Sequence, residues 1–399
     1  MAEIILVKPG ELTLKGGNRE AFERILHRNL KAMLHARSPG TTRIESLPGR
    51  IYIHCDSKEG AEQAENVLSH LMGISGWART QKTEKTVEDV LAACLAAGKN
   101  LHESGVASYK IEARRADKSF PLNSYKICCA AGNLIGSKVP GLRVDVKNPE
   151  EVISVEIREK AYIYGTKKKG RRGLPSGSAG RGLLLLSGGI DSPVAGCLMA
   201  SRGMGLDAVY FHTPPYTSRE VQDKTIRLAE ITGSFCMGLR LFIVNFTEIQ
   251  KRITEQAKAE WTTVLLRMAM MEAATLIAGK TRAKCLITGE SLSQVASQTI
   301  ENISCTESRA GFPVLRPLIG MDKEAITVLA KDFGSYETSI LPHADCCHLF
   351  SPLHPVLRGT VKEANLLYEA LELRGENTKT DLLFQALRTA EVKKCGYYL

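Results

Sequence analysis

The chain has no run of residues that approaches a membrane span, and its start, Met1-Ala2-Glu3-Ile4, lacks the charged, apolar and cleavage regions of a signal peptide. The expectation is a cytoplasmic protein with no membrane partner. It has no C-x-x-C pair either. Its 11 cysteines are scattered and odd in number, which argues against a disulfide framework or a four-thiolate zinc site and for reduced core thiols, with one or two reactive. Solenoid repeats and low-complexity tails are missing. So is the kinase-type phosphate loop, G-x-x-x-x-G-K-[ST], whose lysine reaches the terminal phosphates of a nucleotide.

What is present describes a globular chain: 44% hydrophobic residues, a mean hydropathy of -0.10, and 399 residues, enough for two or three domains. Lys and Arg number 53 against 43 Asp and Glu. The resulting +10 favours a polyanionic partner.

The segment Leu183-Leu184-Leu185-Leu186-Ser187-Gly188-Gly189-Ile190-Asp191-Ser192-Pro193 reads as a buried strand, a glycine turn and a helix. Backbone amides of such a turn approach an anion without a Cβ in the way, and the positive end of the helix points back at them. Ser192 is placed to cap that helix, with Pro193 at its first position. Without the phosphate-loop lysine, the pattern points to ATP used for AMP transfer with release of pyrophosphate. An isolated Ser-Gly-Gly would be an ordinary tight turn; the flanking strand and Ile-Asp-Ser-Pro distinguish this one.

Strands are expected over 3–7, 50–55 and 76–80, with helices over 18–36 and 59–71. So close an alternation suggests a small ferredoxin-like α+β unit. A second block has helices over 87–101 and 124–138, a strand over 108–115 and a hairpin from 152–158 and 160–165. The basic, Gly/Pro/Ser-rich stretch 167–178 marks the best domain boundary. Beyond it strand and helix alternate through 183–288, the pattern of a doubly wound parallel sheet that binds ligands at the carboxyl ends of its strands.

Several strand-end residues fall around the same nucleotide. Tyr210 and Phe211 are either core aromatics or the wall for an adenine. Gly289 permits close approach, Gln298 is polar in a segment poorly suited to a core helix, and Arg267 is either a solvated helix arginine or a phosphate ligand. Asp191 is a candidate Mg²⁺ ligand, since Mg²⁺ on phosphates takes only one or two carboxylates. Lys323 is either an exposed lysine or the cation that meets charge building on an α-phosphate. In His343-Ala344-Asp345-Cys346-Cys347-His348, the cysteines are buried structural thiols, a nucleophile activated by nearby positive charge, or part of a metal site. Lys110, Arg114, Arg115 and Lys118, with Tyr109 and Phe120 as stacking surfaces, and Lys167, Lys168 and Arg171 supply candidate RNA contacts.

Taken together the chain resembles the tRNA 4-thiouridine synthetases, or ThiI family, along essentially its whole length. The resemblance is carried by Gly10-Glu11-Leu12-Thr13-Leu14-Lys15-Gly16-Gly17-Asn18-Arg19, Val144-Asp145-Val146-Lys147-Asn148-Pro149, Ser187 to Pro193, Gly289-Glu290-Ser291-Leu292, Gln294 to Thr299, Asp322-Lys323 and Cys346-Cys347. It implies a ferredoxin-like domain over 1–59, reaching to about 80, a THUMP RNA-binding domain over 60–165, a basic linker over 166–178 and a PP-loop ATP pyrophosphatase domain over 179–399. It also implies adenylation of O4 of uridine 8 in tRNA, followed by sulfur transfer from a persulfide. Asp191 and Lys323 are then catalytic, and Leu185, Leu186, Ser187, Gly188, Gly189, Ser192, Tyr210, Phe211, Arg267, Gly289 and Gln298 surround ATP. Cys347 is the preferred persulfide carrier, with Cys346 the alternative, and Cys305, Cys346 and Cys395 are open as a resolving thiol. Ser293 stands where relatives usually have glycine, and no rhodanese domain follows the pyrophosphatase domain. Implied partners are tRNA, a cysteine desulfurase as sulfur donor, the ThiS carrier of thiamine thiazole synthesis and a second copy in a homodimer. The competing class is an RNA-binding adaptor whose nucleotide site only regulates affinity.

Overall fold

The computed structural model describes residues 3–11, 17–37, 42–342, 352–375, 377 and 380–396. The chain forms two compact units, Met1–Glu23 with Leu30–Arg172, and Arg24–Asn29 with Gly173–Leu399.

The first unit begins with β1 (Glu3–Pro9), α1 (Arg19–Arg37), β2 (Thr42–Leu47), β3 (Arg50–Cys55), α2 (Lys58–His70) and β4 (Ile74–Arg79). Their sheet runs β4-β1-β3-β2, with β1 antiparallel to both neighbours, which is the ferredoxin-like order. Ile5, Leu6, Val7 and Ile53 are wholly buried, so the central pair of strands carries the core. Strand β2 has no counterpart in the sequence reading. Its Thr-Arg-Ile-Glu-Ser-Leu holds few strong strand formers, and pairing with β3, Ile44 opposite Ile53, settles it.

The unit continues with β5 (Gln81–Thr83), α3 (Val87–Glu103), β6 (Ser108–Arg115), α4 (Ser124–Lys138), β7 (Arg143–Val144), β8 (Glu151–Ile157) and β9 (Ala161–Tyr164), in a sheet ordered β5-β9-β8-β6-β7. Side chains alternate across β6: Tyr109 and Ile111 enter the core, while Lys110, Glu112 and Arg114 take the other face. Tyr109 and Phe120, expected as stacking surfaces, are therefore corrected to core residues at 0% and 4% exposure. Within the basic stretch, Lys168–Lys169 forms β10, which adds to the first sheet against β4.

One buried carboxylate organises this unit. Glu156 receives Arg50 Nε at 3.1 Å and Nη2 at 3.0 Å and the Tyr164 hydroxyl at 2.7 Å, with Lys8 Nζ 3.5 Å away. Burial alone would raise its pKa, but Arg50, Tyr164 and Lys8 outweigh that and hold it at about 2.

The second unit contains β11 (Arg181–Leu185), α5 (Asp191–Ser201), β12 (Gly205–His212), α6 (Arg219–Phe235), β13 (Leu239–Asn245), α7 (Thr247–Gln256), α8 (Thr262–Thr281), β14 (Leu286–Ile287), α9 (Ile300–Glu307), β15 (Val314–Leu315), α10 (Lys323–Asp332), α11 (Tyr336–Ser339), α12 (Val361–Glu369), α13 (Leu382–Arg388) and β16 (Glu391–Cys395). The sheet order is β15-β14-β11-β12-β13-β16, parallel except for β16, an antiparallel edge strand not anticipated from sequence. The chain order reverses between β11 and β14, and such a switch point opens a crevice at the carboxyl ends of the strands.

Ala259–Thr281 corrects the first expectation above, because it is long and apolar enough to cross a membrane. Here it is a core helix: Leu265, Met268, Ala269, Ala273 and Ala274 of α8 are fully buried in a cluster with Leu183, Val209 and Val244. A helix apolar on nearly every side needs such cover.

Candidate active site

A cavity of about 460 Å³ occupies the crevice at the ends of β11, β12 and β14. Leu185, Leu186, Ser187, Gly189, Asp191, Ser192, Tyr210, Phe211, Arg267, Gly289 and Gln298, drawn from elements far apart in sequence, all line it. Gly188 is buried and is not among the walls, and Lys323 reaches in only through its contact with Asp191. Cys346 and Cys347 lie outside the described residues.

The loop after β11 is closed by its own hydroxyls. Ser187 N–H donates to Ser192 Oγ at 2.9 Å, and Gly189 N–H donates to Ser187 Oγ at 3.3 Å. Helix α5 starts at Asp191, with Ile190 at the cap position and no side-chain cap. The expected capping role of Ser192 is thus corrected: it lies in the first turn, and its hydroxyl pins the loop instead. Gly289, besides lining the cavity, also meets the chain itself. A Cβ there would stand 2.6 Å from Ser192 N and 2.7 Å from Ser192 Cα, so glycine lets the start of α5 seat directly on the end of β14.

Asp191 is held at both oxygens. Lys323 Nζ lies 2.6 Å from Oδ1, and Gln294 Nε2 donates to Oδ2 at 2.9 Å. Lys323 opens α10, whose N-cap Asp322 accepts from Ala325 N–H at 2.7 Å and fixes where the lysine leaves the helix.

Arg267 is not solvated. Its guanidinium pairs with Glu290 Oε1 and donates to Ser297 Oγ at 2.8 Å. Arg316 Nε takes the other oxygen of Glu290 at 2.7 Å, and Thr288 Oγ1 donates there at 2.7 Å. Glu290 is 3% exposed. Burial would raise its pKa, but Arg267 and Arg316, with Thr288, hold it below the ordinary carboxylate value.

Sequence reasoning gave no role to Glu290, Gln294 or Thr288. Glu290 and Gln294 sit inside motifs that carry the resemblance and Thr288 immediately precedes one, yet their function depends on Arg316, Arg267 and Asp191, and no local pattern registers such partners. Among the described residues no group of three or more His, Cys, Asp or Glu side chains is placed to hold a metal. Of the cavity's two carboxylates, Glu290 is saturated by arginines and Asp191 by Lys323 and Gln294. Magnesium therefore fits here only if it is held mainly by phosphate oxygens.

Of the three thiols open as resolving partners, Cys346 lies outside the described residues, and Cys305 and Cys395 are poorly suited to the task. Cys305 is wholly buried, its Sγ 3.5 Å from Gly359 O, and burial raises its pKa; burial pushes Cys395, at 2% exposure on β16, up to about 11.

The RNA candidates all belong to the first unit. Arg114, Lys118 and Lys167 are exposed, and Lys110 is 3.3 Å from Glu112. Arg115 donates to Phe120 O at 3.1 Å, Lys168 pairs with Glu65 at 3.2 Å, and Arg171 Nε donates to Ser69 O at 2.8 Å.

A ferredoxin-like sheet, a THUMP-type sheet and a doubly wound domain with a glycine-loop cavity define a PP-loop enzyme joined to an RNA-binding module. The family models agree in chain order: the ThiI ferredoxin-like domain matches residues 4–78, the THUMP domain 84–165, and the thiamine biosynthesis protein (ThiI) 177–373. A probable tRNA sulfurtransferase of Treponema pallidum is 46% identical over 370 residues, covering 92% of this chain and 91% of its own. Another from Acetivibrio thermocellus is 40% identical over 394 residues, 98% of each chain. Among solved structures, a 4-thiouridine synthetase in complex with RNA and bound ATP superposes with a TM-score of 0.88 at 32% identity, covering 99% of this chain and 100% of that one. The chain belongs to the ThiI family of tRNA sulfurtransferases.

Proposed function

We propose that this protein uses ATP to adenylate O4 of uridine 8 in tRNA and then replaces that oxygen with persulfide sulfur, giving 4-thiouridine. The observation that carries the reading is the Asp191–Lys323 pair at the start of α5, beside a cavity walled by the β11 loop. The similar structure that binds RNA and ATP supports the choice of both ligands.

In the first step uridine O4 bonds to the α-phosphorus, the bond to the β-phosphate oxygen breaks, and pyrophosphate leaves. The base loses its N3 proton as the N3–C4 double bond forms. The positive end of α5 and the Lys323 ammonium lie where negative charge grows on the α-phosphate. Arg267, fixed by Glu290 and Ser297, adds a further cation to the cavity wall. Tyr210 and Phe211, with Leu185 and Leu186, form the apolar wall for adenine. When bound, Mg²⁺ would neutralise phosphate charge, held mainly by phosphate oxygens, with Asp191 able to reach it only by giving up Lys323 or Gln294.

In the second step the terminal sulfur of a persulfide on Cys347, or on Cys346, attacks C4 and AMP departs, which leaves the base joined to the cysteine through an S–S bond. A second thiol then attacks the cysteine sulfur, the S–S bond breaks, 4-thiouridine leaves, and the resulting disulfide is reduced by an external thiol. Pro352, a wall residue, follows Cys347 by five positions, and five residues of extended chain span at most about 18 Å. On the other side, Ser339 Oγ is 3.4 Å from Gly189 O. Ser339 and Pro352, described residues on either side of the cysteines in the sequence, thus both lie at the site. Sulfur would reach it from a cysteine desulfurase. The exposed cations of the first unit would grip the tRNA, and a homodimer would present two such surfaces.

Purified protein given unmodified tRNA, ATP and a sulfur donor should yield 4-thiouridine by mass analysis, with pyrophosphate release that requires tRNA. Binding of tRNA with an affinity that responds to ATP, without pyrophosphate release, would instead identify a binding adaptor with a regulatory nucleotide site. The matching model's description as a thiamine biosynthesis protein favours a second role, sulfur supply to the ThiS carrier. Thiazole synthesis in cells carrying Asp191→Ala or Cys347→Ala tests it.

A further inference from the structure

We propose that Gln294 is a positioning residue for Asp191 and, through its side-chain oxygen, a hydrogen-bond acceptor for the ligand at the reacting end of the cavity. The inference rests on the adenylation reading and adds a residue to it. Gln294 lines the cavity, and its Nε2 donates to Asp191 Oδ2 at 2.9 Å. A carboxylate accepts and does not donate, so the amide must turn its nitrogen to Asp191 and its oxygen the other way. That oxygen, Oε1, is buried and has no partner among the described residues. A buried acceptor without a donor is disfavoured, and a cavity-lining one finds its donor on whatever fills the cavity.

The backbone is bent to aim this side chain. Ser293 adopts φ 61°, a left-handed conformation that costs a non-glycine residue, and its N–H closes a turn on Gln298 O at 2.9 Å. The clamp also answers a mechanistic need. Lys323 holds Asp191 Oδ1 at 2.6 Å, and once the ammonium turns to the α-phosphate, Gln294 alone keeps the carboxylate oriented. The donor that meets Oε1 is an N–H or O–H near the reacting atoms. It belongs either to the target base, as the ring N–H beside the attacking oxygen, or to ATP, as an amino or hydroxyl group.

Two variants of the full chain test this. In Gln294→Glu, a protonated carboxyl donates to Asp191 and still presents an acceptor, whereas the ionised form repels Asp191. Its tRNA-dependent pyrophosphate release, relative to wild type, should therefore rise at least about tenfold from about pH 8 to about pH 6. Gln294→Leu should lose about 10- to 100-fold in kcat at every pH, with an unchanged melting temperature, and should weaken binding of either a non-hydrolysable ATP analogue or tRNA. The weakened ligand is the one that carries the donor. A pH profile for Gln294→Glu parallel to wild type, or Gln294→Leu with unaltered kcat and affinities, overturns the proposal. Wild-type protein that binds ATP but releases no pyrophosphate overturns the adenylation reading alone, and the acceptor role is then decided by the affinities.

Discussion

Lys323 Nζ stands 2.6 Å from Asp191 Oδ1, although 132 positions separate the two residues. The lysine side chain is 48% exposed, so the pair adds little to stability, and its place beside the cavity is a matter of chemistry. Lys323→Met and Asp191→Asn should each lower tRNA-dependent pyrophosphate release by about 100-fold or more while leaving the melting temperature nearly unchanged. Release at more than a tenth of the wild-type rate in either variant would remove the pair from the mechanism.

Cys347→Ser should separate the two half-reactions. Pyrophosphate release continues because the ATP site is intact, and no 4-thiouridine forms. If Cys346→Ser shows that pattern and Cys347→Ser makes normal product, the carrier is the first cysteine of the pair.

Glu156 predicts a pH dependence of stability confined to acid. Its folded pKa of about 2 lies below the ordinary 4.5, so its contribution is fully present above pH 4.5 and is lost as the pH falls toward 2. The depression corresponds to about 3 kcal/mol, and Glu156→Gln should both remove stability of that order at neutral pH and flatten the acid slope. Trp77 reports on this unit when Trp261 is replaced by Phe, so fluorescence-monitored urea unfolding at several pH values reads the effect.

Ser293 sits at φ 61°, in the region glycine tolerates best. Ser293→Gly should keep full activity and leave stability unchanged or higher by up to about 1 kcal/mol, whereas Ser293→Val should lower both. A clear loss of activity in Ser293→Gly would mean the hydroxyl acts on the ligand.

Arg114 and Arg115 are adjacent and should behave oppositely. Arg114 is exposed, and Arg114→Ala should weaken tRNA binding and reduce the salt slope by about one, without unfolding. Arg115 holds Phe120 O, so Arg115→Ala should show up in thermal melts before it shows up in the salt slope. Equal salt slopes for the two variants would contradict this assignment.

Local signals carried much of this structure. The four leucines ahead of a glycine turn end in β11 and its loop, the 124–138 helix is found with those bounds as α4, and the 108–115 strand as β6. Where local and tertiary requirements diverge, the reading failed for identifiable reasons. Strand β16 follows the seven-residue helix α13 and pairs along the otherwise open edge of β13. Tyr109 and Phe120, set among basic residues, look like an RNA platform in one dimension and are core in three.

By itself the sequence determined the order of the domains, the glycine loop and the residue types that wall the cavity, because strand burial and turn chemistry are written within a few neighbouring positions. Only the tertiary structure decided which of those residues share a site. It set Lys323 and Gln294 on the two oxygens of Asp191 and closed Arg267 and Arg316 around Glu290. Charges buried at such distances along the chain are stable only when paired, and their partners are chosen by how the strands order in the sheet.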